Sequence, residues 1–418
     1  MHHGQEVSDM EVVHERCCGL DVHKRTVVAC LLTLGERGQP VREVRTFGTM
    51  AADLLQLREW LAAAGCTHAA MESTGVYWKP VYNALEGVVE LLVVNAQHVK
   101  MVPGRKTDVS DAEWLADLLR HGLLRGSFVP PAPQRELREL TRYRAVLVRE
   151  RATEANRLQK TLEGANLKLG SVATDILGVS GRAILEAVAA GESEAAVLAG
   201  LARGRLREKR TELERALAGQ VKPHHRLLIA EHLEHIGYLN EAIARVNREI
   251  EERLRPFEDT LARLQTVPGV GLRTAEVLMA EVGTDMSRFP SHGHLASWAG
   301  LCPGSNESAG KRKSGKTRKG SPWLRSALVE AAWAASHSKR TYLSAQYHRL
   351  AARRGGKRAV VAVAHTLLVI VYHLLNRGEA YTELGGNYFD ERDRWQVERR
   401  LVRRLEALGY AVSLQPAA

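Results

Sequence analysis

The stretch CGLDVHKRTVVACLL, residues 18–32, decides the fold because it places an aspartate, Asp21, inside an apolar run. The residues around Asp21 predict a first strand, and TVVACLLTL at 26–34 predicts a second. The same criteria predict further strands at 41–47, 68–73 and 90–95, with a helix at 51–64. Residues 16–127 therefore form an α/β domain.

Four carboxylates occupy informative places in this order of elements. Asp21 lies in the first strand, Glu72 ends the fourth, and Asp108 and Asp111 open a helix predicted at 107–122. A spacing of three puts the last two on one helical face. A ribonuclease-H-like fold has its metal ligands in these positions.

Carboxylate oxygens are the ligands that hard divalent cations use. Two such ions about 3.5–4 Å apart can hold the attacking and leaving oxygens of a phosphoryl transfer. We therefore predict a site for Mg²⁺ or Mn²⁺. Each acid alone has a plainer explanation, such as a helix N-terminal charge for Asp108 or a polar strand end for Glu72.

Composition limits the class of protein. The 418 residues carry a net charge of +11, which suits a polyanionic partner, nucleic acid first, although many basic proteins are merely soluble. Five cysteines without a CxxC pair indicate neither a disulfide framework nor a zinc module, and Cys17 and Cys18 are expected in the core. We predict no signal peptide, because the first residues contain no apolar core followed by a cleavage site. We predict no membrane span, because the apolar segment 359–375 is short and contains two histidines.

A proline-rich segment, FVPPAPQ at 128–134, ends the α/β domain and precedes a helical region at 135–255. Residues 164–225 within that region have weak helical periods, and the sequence assigns them no function. From residue 233 a heptad pattern follows: Leu233, Ile236, Asn240, Ile243, Asn247, Ile250 and Leu254. Asparagines at repeated a positions predict a coiled coil, either between two chains or within one, and they suggest a dimer. The alternative is an amphipathic helix packed on its own domain.

The segment LQTVPGVGLRTAEVLMAEVG, residues 264–283, opens a mostly helical domain at 260–380. Two apolar helices around a Pro-Gly-Val-Gly turn predict a helix-hairpin-helix in which Gly269 and Gly271 expose backbone N–H groups to a phosphate. The alternative is an ordinary αα-hairpin without nucleic acid contact.

A cationic loop, KRKSGKTRK, occupies residues 311–319. Its six basic residues are Lys311, Arg312, Lys313, Lys316, Arg318 and Lys319. Such a flexible loop suits a phosphate backbone, although it could be only a solvated, disordered segment. Helices are predicted at 322–337, 340–353 and 357–376, and a charged helical tail occupies 381–418.

The motifs together resemble those of the DEDD-type insertion-sequence transposases of the one-ten family, relatives of the Piv DNA invertase. The resemblance covers nearly the whole chain. The motifs that carry it are GLDVHK (19–24), MESTGVYW (71–78), KTDVSDAEWLADLL (106–119), VPGVG (267–271), ASWAGLCP (296–303) and ESAGKRKSGKTRKGSPWLRSAL (307–328).

The resemblance implies a RuvC-like N-terminal domain, a coiled-coil region and a C-terminal transposase domain. It implies that the four acids bind divalent metal and that a serine, matching Ser308, attacks DNA. It also implies a bridge RNA that pairs with donor and target DNA, and an active site shared between two protomers. We accordingly expect a homodimer that assembles to a tetramer on DNA, in the bacterial cytoplasm at the nucleoid. Ala309 stands where the family pattern has Gly.

Two other functions fit the same residues. A RuvC-like, structure-specific endonuclease would use metal-activated water instead of serine, and a non-enzymatic scaffold would bind nucleic acid only. The residues alone do not choose Ser308 from the neighbouring hydroxyls of Ser305, Ser314, Thr317 and Ser321. A serine also needs a base or a metal to become a good nucleophile.

Overall fold

A computed structural model describes residues 11–35, 39–73, 75–96, 99, 110–304, 306–308, 311–314, 316–317 and 319–415, with 306–308 and 311–314 described by their backbone only. The chain forms two compact units, Met1–Pro130 and Pro131–Ala418. The division falls within the proline-rich segment.

The first unit contains a six-stranded mixed sheet. Its strands are β1 Cys17–Val22, β2 Thr26–Leu34, β3 Pro40–Gly48, β4 His68–Glu72, β5 Glu90–Val94 and β6 Gly126–Ser127, in the order β3-β2-β1-β4-β5-β6. The β1–β4 and β4–β5 pairs are parallel and the other pairs antiparallel. All five predicted strands are present, and the short β6 adds an edge strand that the sequence did not predict.

Helices cover both faces of this sheet. They are α1 Ala51–Ala63, α2 Trp78–Leu85 and α3 Asp111–Arg120. Buried side chains form one hydrophobic core with α1 and α2 and another with α3. Burial raises the pKa of the Cys17 thiol to about 12, so this side chain stays protonated and packs as a small apolar group, as predicted. The arrangement is mixed α/β and is compatible with a nuclease-like N-terminal domain.

Two long helices, α4 Ala132–Gly164 and α9 Pro223–Leu254, pack antiparallel in the second unit. Arg151 Nε donates to Asn240 Oδ1 at 2.5 Å and Arg144 donates to Asn247 Oδ1 at 3.4 Å. The heptad asparagines therefore bond to arginines of the same chain. The heptad face that suggested a dimer is covered by α4, so it no longer supports that prediction.

The segment between these helices forms a helical subdomain, residues 165–222. It contains α5 Leu169–Val172, α6 Val179–Ala190, α7 Ala195–Gly200, a 3-10 helix at Gly204–Lys209 and α8 Arg210–Leu217. Its buried residues share one hydrophobic core with the adjoining ends of α4 and α9, through Leu162 and Ile229.

The rest of the second unit packs against the opposite ends of α4 and α9. Its elements are α10 Glu258–Gln265, α11 Leu272–Glu281, α12 His292–Trp298, strands β7 Asn306–Ser308 and β8 Lys311–Ser314, α13 Pro322–Ser336, α14 Tyr342–Arg354, α15 Gly356–Arg377, α16 Tyr388–Arg392 and α17 Arg394–Glu406. Of the described helices, α15 alone is long and apolar enough for a membrane span by composition. Its buried side chains belong to the core of this unit, as predicted for a core helix.

Candidate functional site

Asp21 and Glu72 lie side by side at the carboxyl ends of two parallel strands. Leu20 of β1 faces Met71 of β4 in the parallel ladder, and each acid is the next residue along its strand. Alternate residues of a strand point to the same face. Ala70 belongs to the core formed with α3, so Glu72 lies on the α3 face of the sheet.

Helix α3 brings a third acid to this end of the sheet. The Cys17 thiol bonds to the Ala116 carbonyl, while Gly19, further along β1, lies against the Ala112 carbonyl. The helix therefore runs antiparallel to β1. Its first residue, Asp111, lies at the end of the sheet where Asp21 and Glu72 are found.

Gly19 makes this close approach possible. A Cβ at Gly19 would lie 2.0 Å from the Ala112 oxygen and 2.4 Å from the Ala116 nitrogen. Any larger residue would push α3 away from β1. The glycine of the GLDVHK motif thus helps to position the acids, a role that sequence reasoning did not assign to it.

A capping box fixes the start of α3. Ser110 accepts a hydrogen bond from the Glu113 N–H at 3.3 Å, and the Glu113 carboxylate accepts from the Ser110 N–H at 3.0 Å. The Ser110 hydroxyl donates to the same carboxylate at 2.9 Å, and the two bonds donated by Ser110 lower the pKa of Glu113. Glu113 and Asp117 also pair with Arg42 of β3, at 3.2 and 3.1 Å, which ties the helix to the sheet.

The helix therefore begins later than predicted. Ser110, its N-cap, has extended backbone with φ −62° and ψ 151°, and Asp111 is the first helical residue. The prediction that one helix beginning at 107 gives Asp108 and Asp111 a common face is therefore wrong. Asp108 itself lies outside the described residues.

His23 is a neighbour of the site that sequence reasoning missed. Its Nε2 lies 3.1 Å from Asp21 Oδ2, and 28% of the Asp21 side chain is exposed. The signal was present in GLDVHK, because residues two apart at a strand end point to the same side. His23 can orient the Asp21 carboxylate by this contact.

The donor set has the chemistry that a divalent cation needs. Asp21, Glu72 and Asp111 offer carboxylate oxygens, which Mg²⁺ and Mn²⁺ prefer over nitrogen or sulfur ligands. Within the described residues, however, no three His, Cys, Asp or Glu side chains are grouped closely enough to hold a metal ion. The predicted fourth ligand, Asp108, is not among those residues.

In the second unit, the turn between α10 and α11 contains the two predicted phosphate-binding glycines. Gly269 has φ +85°, and a Cβ there would lie 2.2 Å from the Ala331 oxygen of α13. Glycine is therefore required at 269 for close packing as well as for backbone conformation. Gly271 is exposed at the N-cap of α11 and has open space around it, a setting that suits an external phosphate.

Ser308 ends the first strand of a β-hairpin formed by β7 and β8, which we call the serine hairpin. Its partner in the antiparallel ladder is Lys311, and Glu307 faces Arg312. A hydrogen bond from the Gly304 N–H to the Lys316 carbonyl extends the ladder toward its base. The prediction of a flexible loop is thus wrong for 311–314, while Lys316 and Lys319 are exposed and Arg318 lies outside the described residues.

Two of the competing hydroxyls have structural partners. Ser321 is the N-cap of α13, where it accepts from the Leu324 N–H and donates to Glu281 at 3.0 Å. Thr317 accepts a hydrogen bond from Arg325 Nη1 at 2.8 Å. These bonds anchor the base of the serine hairpin, so both hydroxyls have roles that do not require chemistry.

A network of charged groups holds α11 against α4 beside this hairpin. Arg142 binds Glu281 through two hydrogen bonds of 2.7 and 2.9 Å, and Glu281 is nearly fully buried. Arg144 pairs with Glu276, and only 7% and 3% of the two side chains are exposed. Buried charges are stable only when they are paired, so these contacts fix the relative positions of α4, α11 and α13.

Comparisons with known proteins give a consistent result. A transposase family model, DEDD_Tnp_IS110, matches residues 18–167, and a model described as the transposase IS116/IS110/IS902 family matches 261–349. Together the two models match more than half of the chain. They leave the helical subdomain almost entirely unmatched.

Individual relatives carry similar names. The putative transposase y4pF/y4sB of Sinorhizobium fredii is 29% identical over 77% of this chain and 76% of its own length. The transposase for insertion sequence element IS1111A of Coxiella burnetii is 27% identical over 69% of this chain and 72% of its own. An insertion element IS110 protein of Streptomyces coelicolor is 36% identical, but over 28% of this chain and 29% of its own length.

Proposed function

This chain belongs to the IS116/IS110/IS902 family of transposases, and we propose that it cuts and rejoins DNA by combining metal-binding carboxylates with a serine nucleophile, guided by a bridge RNA. The family makes the protein an enzyme that acts on DNA. The metal, the serine and the RNA are the parts that we propose.

The observation that carries the proposal is the position of three acids at one end of the first unit's sheet. Asp21 and Glu72 follow directly paired residues of adjacent parallel strands, and α3 begins with Asp111 at the same end. Hard divalent cations take carboxylate oxygens as ligands. A divalent cation would be held by Asp21, Glu72, Asp111 and Asp108, and binding would draw these side chains together.

The carboxylates would hold Mg²⁺ or Mn²⁺ through oxygen atoms alone. When bound, such an ion polarises the scissile phosphate and offsets negative charge that develops in the transition state. His23 would keep the Asp21 carboxylate oriented, and Gly19 would keep α3 close enough for Asp111 to contribute.

We propose that Ser308 supplies the nucleophile. Its hydroxyl oxygen would form a bond to phosphorus while one bridging P–O bond of the DNA breaks, and the serine proton would end on the leaving strand's oxygen. The covalent link conserves the energy of the broken bond, so rejoining by the reverse reaction needs no nucleotide cofactor. The position of Ser308 at a strand end beside the basic residues of β8 supports this role, because nearby cations stabilise charge on the phosphate.

The remaining basic groups would bind the substrate. Lys311, Arg312, Lys313, Lys316 and Lys319 would contact DNA phosphates around the reacting bond, as would the exposed N-terminus of α11 at Gly271 in a helix-hairpin-helix arrangement. We further propose that the acids of one protomer act with Ser308 of another, in a dimer that assembles to a tetramer on donor and target DNA. The buried heptad contacts of α9 do not supply this dimer, so other surfaces must.

A trapped covalent adduct tests the serine. Reactions stalled with a nicked substrate should contain protein linked to DNA, and digestion should locate the link at Ser308. Ser308→Ala should lose the adduct and strand exchange but retain DNA binding. Ser314→Ala, which removes a hydroxyl from the opposite strand of the serine hairpin, is the matched control and should form the adduct.

The alternative is a metal-dependent endonuclease that activates water. It would cut DNA without any adduct, and Ser308→Ala would still cut. That pattern would refute the serine mechanism and leave the role of the acids intact.

A further inference from the structure

A strongly basic segment, RGRLREKR at residues 203–210, lies on the surface of the helical subdomain. Five of its eight residues are Arg or Lys, against one acid, Glu208. All five basic residues are exposed, along the 3-10 helix and the start of α8. The segment lies outside both family matches, so its role does not follow from the family.

Most of these charges have no acidic partner within the part of the chain that the structure describes. Arg210 pairs with Glu214 at 3.1 Å. The other four basic residues form no salt bridge with any described acid; they are Arg203, Arg205, Arg207 and Lys209. Four unbalanced cations within seven residues repel one another, and an external polyanion would relieve this repulsion.

The backbone of the segment is nevertheless fixed. The Arg203 N–H donates to Ser180 Oγ at 2.8 Å, and the Ser180 hydroxyl bonds back to the Arg203 carbonyl. Arg203, Arg205 and Lys209 line an open cavity of about 610 Å³, whose one acidic residue is Asp175. Asp175 accepts a hydrogen bond from the Leu177 N–H, so it caps its own turn. Three of the cations therefore border a cavity with room for a phosphate and its sugar.

The composition of the subdomain indicates what kind of nucleic acid would bind. Residues 165–222 contain no Phe, Trp, Tyr or His, so the subdomain has no ring on which an unpaired base could stack. Proteins that bind single strands use such aromatic platforms, whereas contacts to a duplex backbone need only cations.

We propose that the basic segment 203–210 binds the phosphate backbone of duplex DNA, without reading its sequence, at a distance from the reacting bond. This inference rests on the proposed function for the identity of the polyanion as DNA. It adds a binding surface that neither the acids nor the serine hairpin provides.

The test compares two full-chain variants in metal-free buffer, where binding is measured without cutting. Arg203→Gln, Arg205→Gln, Arg207→Gln and Lys209→Gln are combined in one variant, and the three arginines are replaced by Lys in a charge-retaining control. The probe is a 40-base-pair duplex DNA of random sequence. The Gln variant should bind about tenfold more weakly, and the slope of log Kd against log salt should fall by about 0.9 for each phosphate that the variant no longer neutralises. The Lys control should bind like the unmodified protein.

Two results would overturn the proposal. One is a Gln variant with unchanged affinity and salt slope; the other is a weakening confined to duplex RNA of the same sequence while DNA binding is unchanged. If circular dichroism shows that the Gln variant is unfolded, chemical acetylation of Lys209 in the unmodified protein decides the question. Slower acetylation of Lys209 in the presence of the DNA supports the proposal, and equal acetylation with and without DNA refutes it. Because none of these measurements requires cutting, a failure of the serine mechanism would be seen separately, in the adduct assay.

Discussion

Replacing Gly19 by alanine should move α3 away from the sheet and so separate Asp111 from Asp21. The new Cβ would lie 2.0 Å from the Ala112 oxygen, and both atoms belong to rigid elements. Ordinary contact requires about 3.4 Å, so β1 and α3 must separate by about 1 Å or more.

The size of the effect follows from this displacement. Overpacking of this kind costs about 1–3 kcal/mol, which lowers the melting temperature by roughly 5–10 °C in a unit of about 130 residues. A misplacement of about 1 Å in a catalytic group costs about a hundredfold in rate. We therefore expect Gly19→Ala to lose about a hundredfold in recombination rate below its own melting temperature.

The assay measures recombination of a plasmid substrate at about 25 °C alongside thermal unfolding. Gly126→Ala is the control in the same unit, because a Cβ there would meet its nearest neighbour, Leu92, at an ordinary 3.6 Å. If Gly19→Ala recombines at the normal rate and melts with the unmodified protein, the close approach of α3 to β1 does not position the acids.

Three other predictions follow from the structure. Each of three single variants should reduce recombination at least about a thousandfold without lowering the melting temperature, because each removes a metal ligand: Asp21→Ala, Glu72→Ala and Asp111→Ala. Near-normal recombination by two of them would refute the assignment of these acids to a metal site. The Asp21→Ala and Ser308→Ala proteins should each be inactive alone, but a mixture of the two should recombine DNA if two protomers share the site. Mixed dimers isolated by gel filtration that show no recombination would indicate a site within one chain. Glu276→Gln should destabilise the second unit by about 3–5 kcal/mol in denaturant unfolding because it leaves its buried arginine partner uncompensated; a destabilisation below about 1 kcal/mol would show that water reaches the pair.

The sequence predicted the strands of the first unit well because their signal is local. Buried strands such as 26–34 are continuous apolar runs, and each is long enough to be recognised without knowledge of its neighbours. The start of α3 was placed too early, although Ser110 and Glu113 form a capping box that can be read in the sequence. The approach of Gly19 to α3 could not be predicted, because it depends on how two elements pack.

Long-range choices were the least predictable. The heptad of α9 showed correctly that this helix has an apolar face with polar interruptions, but a period does not say which helix covers that face. The structure shows that α4 of the same chain does, and Ile250 is fully buried there. Introducing Asp at 250 would therefore unfold the unit rather than dissociate a dimer. The strands at 306–308 and 311–314 were missed because these charged segments lack the alternation by which strands are recognised.

The antiparallel pair α4 and α9 also sets a length. Helices of 33 and 32 residues at 1.5 Å per residue extend for about 50 Å, with the helical subdomain at one end and the serine hairpin's domain at the other. One base pair of a DNA duplex occupies about 3.4 Å along its axis, so the same length corresponds to about 15 base pairs. On the two proposals made above, a duplex held at both ends of the helix pair would be bound by the basic segment about one and a half turns away from the bond that is cut.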